Sequence, residues 1–210
     1  MARNIEIKAR IDDPAACAAR AAALADQGPI EIDQDDTYFR CIGGRLKLRA
    51  FSDGTGEFIY YRRANQLGPK ESFYLRSPTS APDVLRESLA LANGLAGRVK
   101  KHRKLFLVGR TRIHIDDVEH LGHFLELEVV LADHEPLEVG VSEAHGLIKR
   151  LGILPHQLVE EAYVDLLALT GLSEAALAAV AAVAGMVGVA PGLPGLAAAS
   201  GPSDRSGPEP

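Results

Sequence analysis

A chain of 210 residues can bury a full core and still carry an appendage. Its 47% hydrophobic and 24% charged residues are ordinary for a globular protein. A net charge of −5 excludes a general nucleic-acid binder, which needs a basic excess, while leaving room for a local basic site.

The N-terminus, Met1-Ala2-Arg3-Asn4-Ile5-Glu6, turns charged at once and offers no apolar stretch for a signal peptide. A cytoplasmic location is expected. Asn4-Ile5-Glu6-Ile7-Lys8-Ala9-Arg10-Ile11 alternates polar and apolar residues without a fault and predicts the first strand. Asp12-Asp13-Pro14 then opens an Ala-rich helix, with an Asp N-cap and Pro at the first helical position. Cys17 and Cys41 match no metal-ligand spacing and read as reduced thiols. Strands follow at about 35–41, at Arg45-Leu46-Lys47-Leu48-Arg49, and at about 57–64 and 70–77. Gly43-Gly44, Asp53-Gly54-Thr55-Gly56 and Gly68-Pro69 supply the turns. A helix runs from about Pro82 to Leu95 and closes at Gly94 or Gly97. A strand at 98–108 turns at Gly109-Arg110 into Arg112-Ile113-His114-Ile115-Asp116, and Phe124-Leu125-Glu126-Leu127-Glu128-Val129 makes the eighth strand. Two helices are expected near 140–152 and 156–168.

The folded body is placed at residues 1–169 and a biased tail at 170–210. Ser173 to Ala190 is almost all Ala, Val, Gly and Leu, and predicts a Ser173-capped helix packed on the body or a partner. That run falls short of the roughly 20 residues that cross a bilayer, so no membrane association is expected. The Gly/Pro-rich end is expected to be disordered. Hairpins interspersed with helices give an α+β class, with a large antiparallel sheet that can close on itself.

The polar faces of these strands carry long charged side chains. An acidic group comprises Glu6, Asp116, Glu126 and Glu128. Glu126 and Glu128, two apart on one strand, share a face about 7 Å apart at the backbone. Hard divalent cations need such oxygen clusters, which points to Mg²⁺ or Mn²⁺. A basic group comprises Lys8, Arg45, Lys47, Arg49, Arg62 or Arg63, Lys70, Lys101 and Arg103. On one strand this pattern is the ordinary solvated face. Here it recurs on at least five, and the opposite faces (Ile5, Ile7; Leu46, Leu48; Ile113, Ile115; Leu125, Leu127) are consistently apolar. A barrel with a charged interior and an apolar exterior under helices explains both faces. Such an interior is unfavourable when empty and is neutralised by a polyanion with a divalent metal. A triphosphate is that polyanion.

The chain resembles the CYTH superfamily, the triphosphate tunnel metalloenzymes, and within it the bacterial class IV adenylate cyclase (CyaB-like) branch. The family's E-x-E-x-K strand stands here as Asn4-Ile5-Glu6-Ile7-Lys8, with Asn in place of the first Glu. Lys47-Leu48-Arg49, Tyr60-Tyr61-Arg62-Arg63 with Gly68-Pro69-Lys70, and Lys101-His102-Arg103 follow in order. So do Asp116-Asp117-Val118 with Leu121-Gly122, Glu126-Leu127-Glu128 and Ala162-Tyr163-Val164-Asp165-Leu166-Leu167. The resemblance implies an eight-stranded antiparallel β-barrel, a triphosphate tunnel, with helices packed outside. It implies Glu6, Glu126 and Glu128 as metal ligands with Asp116 assisting, and Lys8, Arg49, Arg62, Lys101 and Arg103 as phosphate contacts. Arg63 rivals Arg62. The neutral Asn4 weakens one metal site.

Three activities follow as alternatives: a class IV adenylate cyclase making cyclic AMP and pyrophosphate from ATP, a triphosphatase acting on tripolyphosphate or thiamine triphosphate, and a non-catalytic binder. Lys8 is a proton acceptor for hydrolysis if neighbouring cations lower its pKa, and otherwise a phosphate-gripping ammonium. His102, His114, His120, His123 and His134 are scattered without a helical pair, and oxygen ligands suit Mg²⁺ or Mn²⁺ better, so a histidine metal site is set aside. His114 shares the parity of Asp116 and faces the tunnel. The sequence leaves a homodimer open.

Overall fold

Alternation along the first strand commits one face to apolar packing and the other to charge, and the fold uses both. In the computed structural model, residues 2–171 are described. The expected tail helix and disordered end lie outside the described residues. Eight strands form a closed barrel: β1 (Ala2–Arg10), β2 (Gln27–Phe39), β3 (Arg45–Ala50), β4 (Gly56–Arg63), β5 (Lys70–Thr79), β6 (Leu95–Val108), β7 (Thr111–Val118) and β8 (Gly122–Val130). The ring order is β1, β5, β4, β3, β2, β6, β7, β8 and back to β1, antiparallel throughout. Closure leaves the barrel without an exposed sheet edge.

The apolar faces point outward. Ile5, Ile7, Phe106, Ile113, Leu125 and Leu127 are buried against Cys17 and Ala21 of α1 (Pro14–Leu24) and Ala144 and Leu147 of α3 (Leu137–Arg150). Gly140 permits that approach, since a Cβ there would collide with Leu131 and Ile5. The other wall buries Phe39, Leu46 and Leu48 beneath Leu85 and Leu89 of α2 (Pro82–Asn93). Asp13 caps α1 by accepting from the Ala16 amide at 2.9 Å, with Pro14 as its first residue. Gly94 ends α2 at φ 78°. Cys17 and Cys41 are both free thiols.

Two elements differ from the sequence reading. β2 starts eight residues before the expected 35, through a stretch of acidic residues with poor strand propensity. Its outward Glu31, Asp33 and Asp35 lie across from Lys104, His102 and Lys100 of β6, and Arg98 chelates Asp35 at 2.5 and 2.7 Å. Cross-strand charge pairing replaces propensity there. The helix expected at 156–168 is split into a short 3-10 turn at Pro155–Gln157, an extended strap, and α4 (Tyr163–Leu169). The strap lies on β1 through an Ala9–Leu158 bridge, and its carbonyls accept from buried lysines. Lys70 Nζ donates to Val159 and Glu160 at 3.4 and 3.1 Å, and Lys8 Nζ to Glu161 at 3.3 Å. A helix would have consumed those carbonyls internally. No helix among the described residues is long and apolar enough to cross a membrane.

Candidate functional site

Period two turns a charged face of most strands into the barrel. The interior encloses a cavity of about 290 Å³, lined by eight cationic side chains and four carboxylates. Lys8, Lys47, Arg49, Arg63, Arg76, Lys101, Arg103 and Arg112 face Glu6, Glu57, Glu126 and Glu128. The imbalance makes the lumen a receptor for an anion of several charges.

One end of the cavity is sealed. The strap brings Ala162 and Tyr163 over the opening, where they pack with Tyr38, Val99, Val118 and Phe124. Gly97 on β6 admits this plug, because a Cβ there would collide with Val164. Tyr163 lies under two lysines, with Lys8 Nζ 3.7 Å and Lys101 Nζ 5.0 Å from its ring centroid. Its hydroxyl donates to Asp116 Oδ2 at 2.9 Å.

Asp116 belongs to this floor. It is fully buried, accepts from Nε and Nη2 of Arg103 at 2.6 Å each, and has Lys101 Nζ at 3.4 Å. Burial alone would raise its pKa, but Arg103 and Lys101 outweigh it and hold the carboxyl well below the usual range. Its oxygens are engaged by these cations and Tyr163, and it is not among the residues that line the cavity. The resemblance casts Asp116 as assisting the metal; here its partners are Arg103, Lys101 and Tyr163. Asp36 of β2, not singled out from the sequence, binds cations in the same way two strands round the ring from Asp116. Lys47 reaches it at 2.7 Å and Arg49 at 2.7 and 2.8 Å, and both keep it ionised against burial. The available signal was its parity with Gln34 and Tyr38 on β2, both of which line the cavity.

Among the basic residues, Arg63 lies inside and pairs with Glu6 at 3.0 Å, whereas Arg62 is exposed and lies over Phe73 at 5.4 Å. The strand register decides this: Arg63 shares parity with Tyr61 and Ile59 of the lumen. Lys70 is buried but spends its ammonium on the carbonyls of Gln66, Val159 and Glu160, outside the cavity lining. Arg45 also leaves the cavity and pairs with Asp165 of α4 at 2.5 Å. Lys8, Lys47, Arg49, Lys101 and Arg103 stay in the lining, as expected. Burial, with Arg49 beside it, pushes the Lys47 ammonium down to about 7, and Lys101 falls through burial and Arg103. Arg112 and Arg76, not singled out from the sequence, line the mouth; Arg112 was legible from its alternation with His114 and Asp116.

The acidic wall is built by β1 and β8. Glu6 and Glu128 are direct cross-strand partners, as are Lys8 and Glu126. Burial pushes the Glu6 carboxyl up, Arg63 pulls against it, and Glu126 and Glu128 add to the rise. Glu126 accepts from Arg103 at 2.7 Å and lies 3.2 Å from Lys8. Glu128 has a looser partner, Arg112 at 3.4 Å. His114 of β7 stands opposite Glu126, and ligand atoms of His114, Glu126 and Glu128 all lie within 4.8 Å of one another. Asn4 Oδ1, Gln34 Oε1 and His114 Nδ1 are buried cavity-lining atoms without a protein partner. Buried polar atoms are normally satisfied, so these await something else. Carboxylates with an unpartnered ligand atom beside them fit a divalent cation.

Comparison with known proteins agrees with this geometry. The CYTH domain family matches residues 2–163. No curated protein sequence matches the chain. Among solved structures, the PH1012 protein of Pyrococcus horikoshii superposes with TM-score 0.69 at 23% identity, over 78% of this chain and 98% of that one. A candidate adenylate cyclase of Vibrio parahaemolyticus follows with TM-score 0.65 and 18% identity, over 79% and 97% of the two chains. HpAC1 of Hippeastrum, described as revealing a dominant triphosphatase activity, has TM-score 0.56 and 17% identity, over 80% and 96%. At these identities the likeness is one of fold.

Proposed function

Because the chain belongs to the CYTH domain family, we propose that it is a divalent-metal-dependent enzyme that cleaves a triphosphate inside its barrel. The observation that carries this reading is a cavity closed at one end with eight cations facing four carboxylates. Lys8, Lys101 and Arg103 at the floor and Lys47 and Arg49 on the wall hold the phosphates. Glu126 and Glu128, with Glu6 near them, hold a cation, Mg²⁺ or Mn²⁺ in the family's manner. That cation supplies charge neutralisation at the phosphoryl oxygens. The preorganised cations stabilise negative charge developing on the leaving group. Lys47, which burial and Arg49 bring to about 7, regains its proton beside a bound polyanion and grips phosphate together with Lys8, which lies between Glu126 and Tyr163.

The size of the cavity favours hydrolysis. About 290 Å³ lies at the lower edge of small-molecule sites and suits a triphosphate chain more than a whole nucleotide. Water then attacks the terminal phosphorus, and the organic part stays at the mouth. The second reading is adenylate cyclase chemistry, in which a ribose 3′-oxygen attacks the α-phosphorus. Phe51 and Tyr74 at the lining give a base two ring faces, which favours it.

The discriminating experiment incubates the protein with Mg²⁺ or Mn²⁺ and, separately, tripolyphosphate, thiamine triphosphate and ATP. Metal-dependent orthophosphate release is the expected result. Cyclic AMP and pyrophosphate from ATP would establish the second reading instead. Turnover of none of the three, with triphosphate binding retained, would reduce the protein to a binder.

A further inference from the structure

We infer that this chain grips its cation partly through an imidazole: His114 Nδ1 joins Glu126 and Glu128 in a mixed nitrogen–oxygen site that prefers Mn²⁺, Co²⁺ or Zn²⁺ to Mg²⁺. The inference rests on the proposal that the lumen holds a divalent cation and adds which cation and which third ligand.

The argument begins with what is missing. Asn4 puts a neutral amide where a carboxylate would strengthen an all-oxygen site. Glu6 is drawn to Arg63, and Asp116 is consumed by Arg103, Lys101 and Tyr163. Glu126 and Glu128 share a face of β8, Glu126 with Arg103 and Lys8 beside it and Glu128 with the looser Arg112 at 3.4 Å. Antiparallel pairing sets His114 directly across from Glu126 and two residues from Arg112, the partner of Glu128. The ring is 3% exposed, and Nδ1 has no hydrogen-bond partner.

The separations distinguish a ligand from an ion pair. His114 Nδ1 stands 3.9 Å from Glu126 Oε2 and 4.0 Å from Glu128 Oε1. A charged hydrogen bond would bring them to about 2.7–2.9 Å. Atoms sharing one cation at about 2.0–2.2 Å each are instead held roughly 3–4.4 Å apart. Both distances fall in that range, with the nitrogen nearly equidistant from two carboxylates. With the ring proton on Nε2, Nδ1 offers its lone pair to the gap. An imidazole suits first-row transition cations, whereas Mg²⁺ demands oxygen ligands and keeps its waters.

The test uses the full-length protein and the metal ions alone, without triphosphate. Titration calorimetry, with Mn²⁺ followed independently by its EPR signal, gives the affinities for Mn²⁺, Zn²⁺ and Mg²⁺. We expect Mn²⁺ to bind about tenfold tighter than Mg²⁺, and Zn²⁺ tighter still. His114→Asn keeps a short polar side chain with an oxygen donor, so the preference should collapse to within about threefold while Mg²⁺ binding persists. Glu128→Gln should weaken all three cations in parallel. In ¹⁵N-imidazole spectra, one histidine should shift with Zn²⁺ and broaden with Mn²⁺, and that signal should be the one lost in the Asn variant. Equal affinities in the parent protein overturn the inference, as does an unchanged Mn²⁺/Mg²⁺ ratio in the Asn variant or a free protein that binds none of the ions. Each of those results leaves triphosphate cleavage open, because turnover is measured separately. Absence of turnover, in turn, leaves the metal preference measurable.

Discussion

Asp116 and Glu128 lie on neighbouring strands of the same lumen, carry the same charge, and are both surrounded by basic residues. Asp116 sits at the sealed floor, where Arg103 takes both of its oxygens and Tyr163 donates a further bond. Glu128 sits on the acidic wall toward the mouth, with one guanidinium at 3.4 Å and an unpartnered histidine nitrogen at 4.0 Å. Asp116 is closely matched by its neighbours and Glu128 is not. A carboxylate in a cationic tunnel is therefore most open to a further partner where its neighbours hold it loosely. Its sign and its parity are insufficient.

The largest expected effect comes from breaking the floor. Asp116→Ala leaves Arg103 and Lys101 buried without their main counter-charge and should cost about 3–5 kcal/mol in denaturant unfolding. A stable Asp116→Ala protein that had lost cation binding would move Asp116 back among the ligands and erase the distinction. The pH dependence has a definite sign. Because the folded-state pKa of Asp116 is depressed, its contribution is present above the unfolded carboxylate value of about 4. It is lost as pH falls through the lower folded value, so the parent protein should be destabilised below about pH 4 and the Asp116→Asn protein less so.

A smaller effect is expected on the basic wall. Lys47, at about 7 in the folded protein against about 10.4 unfolded, has largely shed its proton at pH 8. The folded state then binds fewer protons than the unfolded one, so this group lowers stability below pH 7 and relieves that loss as pH rises toward 10. A bound polyanion restores the charge. Triphosphate binding at pH 8 should therefore take up a proton, read as a dependence of binding enthalpy on buffer ionisation enthalpy, and Lys47→Arg should reduce the uptake. Proton release would place Lys47 outside the phosphate site.

The smallest effect sharpens the register. Arg62→Ala should leave triphosphate affinity within about twofold, because its guanidinium is outside over Phe73 and surface substitutions of this kind matter little. Arg63→Ala should weaken binding well beyond that. Equal losses would mean that the strand inverts on binding.

Much of this was legible in advance because period-two alternation is a local property. Asn4 to Ile11, Arg45 to Arg49 and Phe124 to Val129 each announce an apolar and a charged face, and those faces became the exterior and the lumen. The acidic start of β2 was hidden because its strand character comes from the basic β6 beside it, a partner distant in sequence. The broken last helix was hidden because Lys8 and Lys70 claim its carbonyls from inside the barrel.

The amino-acid sequence by itself determined the class of the fold, the barrel's charged interior and the presence of carboxylates among its cations, since these follow from side-chain spacing on single strands. Tertiary structure alone decided which charges were spent on one another. Asp36 and Asp116 became struts, Lys70 became an anchor, Arg62 turned outward, and His114 was set across from Glu126. Neutralisation inside a low-dielectric lumen depends on distances of a few ångströms between strands, and only closure of the sheet sets those distances.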